Sequence, residues 1–134
     1  MGAWGSQIFE NDGAMDFAGD IADGGGLPAL EEAFDQVIEI GDDYLESWIA
    51  EEALMAAEIV ARLNGKPGPQ SSYFETIDGW IARQKTKPGP PLIDKARRAV
   101  ARILGAESEI VELWQDSDDF EGWKASVEDV QKRL

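Results

Sequence analysis

The chain has 134 residues, 43% of them hydrophobic and five of them Trp, enough for one domain that buries about 68% of its unfolded surface. It has no Cys and no His, which removes disulfides, His- or Cys-based zinc sites, Ser-His-Asp triads and Cys-His pairs. Catalysis is left to carboxylate, Lys, Tyr, Ser or Thr. A net charge of −15 repels phosphate backbones and attracts basic partners, so neither a nucleic acid nor a membrane is an expected partner.

The first ten residues, "MGAWGSQIFE", are Gly-rich and aromatic-studded and read as an extended arm over residues 1–10. Asn11 or Asp12 caps a first helix to about Ala22, which Asp23-Gly24-Gly25-Gly26 breaks. A second helix follows Pro28, with Leu30, Ala33, Phe34, Val37 and Ile38 as its apolar stripe. Asp43, with Glu46 three residues on, predicts a capping box for the longest helix, which runs to about Asn64 before Gly65 and Lys66-Pro67-Gly68-Pro69. Ser72 and Glu75 repeat that pattern for a fourth helix to about Lys85. A fifth spans Leu92 to Leu104, a sixth opens at Ser108, and Phe120, Trp123, Val127, Val130 and Leu134 form the seam of a last helix. No stretch alternates as strands do. The expectation is an all-α, single compact domain of about seven helices.

The charge is lopsided. Residues 1–61 hold fifteen acids and no base, and residues 62–134 hold twelve of each. Acid-coated helix faces account for part of this, and the remainder suits a basic protein partner. Asp12, Asp16, Asp20 and Asp23 share one face of the first helix, and Lys95, Arg98 and Arg102 share a flank of the fifth, with Arg97 on its other side. That basic flank either docks on the acidic half or receives a partner.

At 100° per residue, Leu45, Ile49, Ala56, Ile59 and Leu63 centre the apolar face of the third helix, and Glu52 points into its middle. A carboxylate there needs a cation, hydrogen bonds, a proton or a ligand. A buried pair with an Arg of the fifth helix, or hydrogen bonds from the arm's backbone, would satisfy it. The sharper alternative makes Glu52 a general base or a metal ligand. Glu39 and Asp42 facing Glu51, Glu52 or Glu58 would then imitate the paired carboxylates of Mg²⁺-dependent nucleotide hydrolases. The stretch "DSDDFEG" at 116–122 has Glu121 where a calcium loop needs Gly, which excludes that loop.

The opening, with Gly2, Trp4, Gly5, Phe9, Asn11 and Asp12 in a Met-Gly-x-Trp-Gly-x-x-x-Phe-x-Asn-Asp pattern, resembles an uncharacterised bacterial family, domain of unknown function 4259. "EEALMAAEIVARLNG", "ARRAVARILG" and "ELWQDSDDFEGWKASVEDVQKRL" extend the likeness over nearly the whole chain. Ser6-Gln7 departs from the pattern, where a small residue and Gly are expected. The resemblance implies a helical fold and brings no activity with it. Gly2 and Gly5 would let the arm approach the core closely, with Trp4 buried and Phe9 beside it as anchors. By helical position, the Trp residues are expected mostly in the core.

Met1–Ser6 also fits an N-myristoylation pattern, but acids rather than a basic cluster follow it. With no apolar span and no signal peptide, a cytoplasmic location is expected. The functional expectation is a non-enzymatic, acidic protein-binding domain of the antidote or adaptor kind that needs no cofactor. A Mg²⁺-dependent phosphate hydrolase is the alternative.

Overall fold

The computed structural model describes residues 3–134, so Gly2 lies outside the described residues. The domain is all-α, with seven α-helices among those residues: α1 (Asp12–Asp20), α2 (Gly26–Ile40), α3 (Ser47–Leu63), α4 (Glu75–Ala82), α5 (Pro90–Ile103), α6 (Glu109–Gln115) and α7 (Phe120–Arg133). No described helix is long and apolar enough to cross a membrane.

α3 is the axis of the molecule. It contacts every other helix, and each residue from Ala53 to Leu63 is buried. Its alanines at 50, 53, 56, 57 and 61 let neighbouring backbones come close, and around them pack Phe34, Phe74, Ile103, Trp123 and Val127. Burying each of the larger side chains contributes about 1.5–3 kcal/mol.

The helix ends show where local chemistry decides and where tertiary contacts do. Asn11 caps α1 as expected, its Oδ1 accepting the Ala14 N–H at 2.7 Å. Gly65, at φ 80°, ends α3 in a Schellman turn: Lys66 N–H donates to Ala61 O and Gly65 N–H to Arg62 O. Between α1 and α2 the chain breaks at Gly24, whose φ of 131° only glycine adopts cheaply.

The start of α3 corrects the sequence reading. Asp43 does not cap it, because Asp43 closes a turn onto Ile40 and the chain then bridges, at Leu45, to the segment that opens α6. The Leu45 N–H donates to Glu107 O at 2.8 Å, and the Glu109 N–H to Leu45 O at 2.9 Å. The cap comes from sixty-two positions away, Glu109 Oε1 accepting the Ser47 N–H at 2.8 Å. At α4, Ser71 rather than Ser72 supplies the capping oxygen, to a 3₁₀ turn over Ser72–Phe74. α5 begins at Pro90, since proline is tolerated in a first turn.

The arm packs on the core but closes on itself rather than running out extended. Trp4 N–H donates to Glu10 O at 2.9 Å, and Ala3 bridges Asn11. A Cβ on Gly5 would run into the Glu10 carboxylate, so the close approach expected of this glycine is to its own loop.

Candidate functional site: an acidic ledge with exposed aromatic rings

The buried carboxylate of α3 is Glu58, not Glu52. Glu58 is 1% exposed. Its Oε2 accepts Arg62 Nε at 2.9 Å and Arg133 Nη1 at 2.8 Å, and its Oε1 accepts Arg133 Nη2 at 2.6 Å. Arg62 continues to Asp78 and to Pro69 O, and its guanidinium lies 3.8 Å over the Phe74 ring. Arg133 continues to Asp129 and Lys66 O. Burial disfavours the charge on Arg133, and Glu58 and then Asp129 more than restore it, raising its pKa. All five of its N–H groups are taken, so the groove beside it at Pro67–Pro69 has no guanidinium donor left for an anion. This network ties α3, α4, α7 and the loop after α3 together; its chemistry is structural.

Glu52 is half-buried in a notch with Phe17, Asp20, Glu32 and Gln36. Burial, and then the charges of Asp20 and Glu32, push its carboxyl above the ordinary value. No hydrogen bond from the arm and no arginine of α5 reaches it among the described residues. The neighbouring Glu51 is raised by burial and then by Asp12 and Glu52. It borders a hollow beneath the arm lined by Asn11, Ser47, Trp114 and Trp123, a cavity of about 20 Å³, room for about one water. Glu39 and Asp42 are exposed and Glu58 is enclosed by its arginines. Among the described residues no group of three or more acidic side chains is placed to hold a metal ion.

Of the arm's expected anchors, Phe9 is buried edge-on against Phe74, with ring centroids 4.7 Å apart. Trp4 is not buried. It is 45% exposed and leans on Tyr73, centroids 5.8 Å apart, because the closed loop turns it outward while Ile8 and Phe9 fill the space beneath. The basic flank of α5 docks internally. Lys95 Nζ meets Asp35 at 2.8 Å and Glu31 at 3.5 Å, and the Asp35 hydrogen bond chiefly raises its pKa. Arg102 donates to the carbonyls of Gly41, Asp43, Ala106 and Glu107. Arg97 donates to Leu134 O. Arg98 is exposed, as are Asp12, Asp16, Asp20 and Asp23.

Sequence reasoning missed the segment from Gly41 to Trp48. Trp48, expected in the core with the other helical tryptophans, is 51% exposed, and Tyr44 is 44% exposed. Their polar tips are tethered: Trp48 Nε1–H donates to Glu46 Oε2 at 2.9 Å, and the Tyr44 hydroxyl to Glu112 Oε1 at 3.2 Å. Contact with the protein, then Glu112, Glu109 and Glu107, push the phenol above its ordinary value. Arg102 braces this ledge from behind through backbone carbonyls, leaving the side chains of Asp42 and Asp43 without an ion pair among the described residues. Glu107 sits in the left-handed region at φ 54°, the one such non-glycine among the described residues. Its carbonyl receives both Leu45 and Arg102, contacts that hold the strained residue in place. The readable signal was "GDDYLESW", aromatic residues alternating with acids ahead of a helix.

The arrangement is a compact helical domain with a structural ion-pair centre and a surface of unpaired acids set with aromatic rings. The family model described as Domain of unknown function (DUF4259) matches residues 2–126, and the chain belongs to that family. No curated protein matches it, nor does any solved structure.

Proposed function

We propose that this is a non-catalytic acidic domain that binds a basic protein, as an antidote or adaptor does. One observation carries the reading. Of the fifteen acids in residues 1–61, only Glu31, Asp35 and Glu58 form salt bridges among the described residues. Among the described residues Lys95, Arg62 and Arg133 meet only those three acids of the half, and Arg102 is taken up by backbone carbonyls. Most of the remaining acids, Glu10, Glu51 and Glu52 excepted, are exposed, and there their charge accelerates encounter with a basic surface and selects against acidic ones.

The test separates the face from the net charge. Calorimetric titration with poly-L-lysine compares Asp16→Lys with Asp20→Lys against Glu121→Lys with Glu128→Lys, two pairs that change the net charge equally. The reading expects the α1 pair to weaken binding more than the α7 pair, with the difference fading as salt rises. Equal weakening by both pairs would reduce the effect to net charge and remove the proposed face.

A further inference from the structure

Four large hydrophobic side chains are exposed among the described residues, and all are aromatic: Trp4, Tyr44, Trp48 and Tyr73. They form two different kinds of pair. Trp4 and Tyr73 lean on each other and so cover part of their own faces. Tyr44 and Trp48 have no aromatic partner among the described residues, and each has its polar tip fixed to a carboxylate, Glu112 or Glu46. That tether turns the ring edge toward the acid and leaves a face to solvent. Each carboxylate uses one oxygen for the ring and keeps the other without a partner among the described residues.

The platform beneath is rigid. Leu45 is fully buried between the two rings in sequence, bonded on both sides to the loop before α6, with Arg102 joining Gly41, Asp43, Ala106 and Glu107. Pre-ordered aromatic side chains lose little entropy on binding and are the residue types that dominate interface energetics.

We infer that the ledge formed by Tyr44 and Trp48 is the seat for an arginine-bearing segment of the basic partner, the guanidinium lying on a ring face and donating to the free oxygen of Glu46 or Glu112. Charge complementarity selects the occupant. A ring face attracts cations; Glu112, Glu109 and Glu107 act on Tyr44 and Glu46 meets Trp48, Asp42 and Asp43 precede Tyr44 in the chain, and no salt bridge joins these carboxylates to a cation among the described residues. Arginine fits better than lysine because a planar guanidinium stacks on a ring and still directs N–H groups outward in its plane. The inference rests on the reading of this domain as a binder of basic proteins and locates the contact.

The experiment uses the full ¹⁵N-labelled chain and a capped Arg-Gly-Arg-Gly-Arg peptide, with the neutral isostere in which citrulline replaces arginine. The arginine peptide is expected to shift the amides of 42–48 and 107–112 and the Trp48 indole, and the citrulline peptide to bind at least about fivefold more weakly. The double variant Tyr44→Leu with Trp48→Leu, which keeps apolar bulk and all charge, is expected to weaken the arginine peptide by about fivefold while its circular dichroism stays that of the parent. If the peptide binds but the shifts centre on α1 and the double variant binds like the parent, the seat is wrong and the basic-partner reading stands. If neither peptide binds at low salt, both fall.

Discussion

Two acidic regions of this molecule differ in what answers their charge. At Glu58 the chain supplies two arginines, buries the group and takes up all five N–H groups of Arg133. At the Tyr44–Trp48 ledge it supplies none among the described residues; the nearby Arg102 is directed to backbone carbonyls, holding the shape while leaving the carboxylates to water. An acid paired internally stabilises the fold. An acid held in a rigid frame and left unpaired beside exposed rings does little for the fold and is available to something outside.

The contrast is sharpest when the buried side is broken. Glu58→Ala leaves Arg62 buried without its carboxylate and should cost about 3–5 kcal/mol in denaturant unfolding; a loss under about 1 kcal/mol would make the network incidental. The arm repeats the contrast on a smaller scale. Phe9→Ala opens a cavity against Phe74 and should cost about 3 kcal/mol, whereas exposed Trp4→Ala should cost under about 1 kcal/mol. Equal losses would return Trp4 to the anchoring role expected from sequence.

Glu51 lies between the two extremes, half-buried with no side-chain cation paired to it among the described residues. Burial disfavours its charged form, so the folded state keeps its proton at pH values where the unfolded chain, near 4.5, has lost it. Stability from this group therefore declines as pH rises from 4.5 through the raised folded value. Glu51→Gln should raise stability at pH 7 by at most about 1 kcal/mol, since half the side chain is still screened by water, and the gain should vanish below pH 4.5. A variant that is less stable at pH 7 would mean that Glu51 is paired. The smallest stability effect belongs to the ledge: Tyr44→Leu and Trp48→Leu should each stay within about 0.5 kcal/mol of the parent, so that a change in binding is not a change in folding.

The break at Gly65–Pro69, the Asn11 cap and the all-α class were legible because each depends on residues within a turn of one another, whereas Pro90 and Pro91, expected to break the chain, form the first turn of α5. The rest was not, for physical reasons that differ by residue. Wheel arithmetic nominated Glu52 because it assumes a helix with one apolar face, but α3 is enclosed from Ala53 to Leu63; on such a helix phase does not distinguish Glu58 from its neighbours. The start of α3 was misplaced at Asp43 because Glu107 and Glu109 capture residues 45 and 47 across the fold, a contact that local capping rules do not contain. Trp48 was assigned to the core by its position on a helix expected to start at Asp43, yet with the helix beginning only at Ser47 it projects from the first turn beside Glu46.

Hydrogen exchange on the full chain, with and without poly-L-lysine at low salt, tests the central claim most directly. Protection concentrated in residues 41–48, 106–112 and α1, with α4 and α7 unchanged, is the predicted result. Protection centred on α4 or α7, or spread evenly over the surface, would contradict the account, because the unpaired acids and the braced rings would then not be where a basic partner binds.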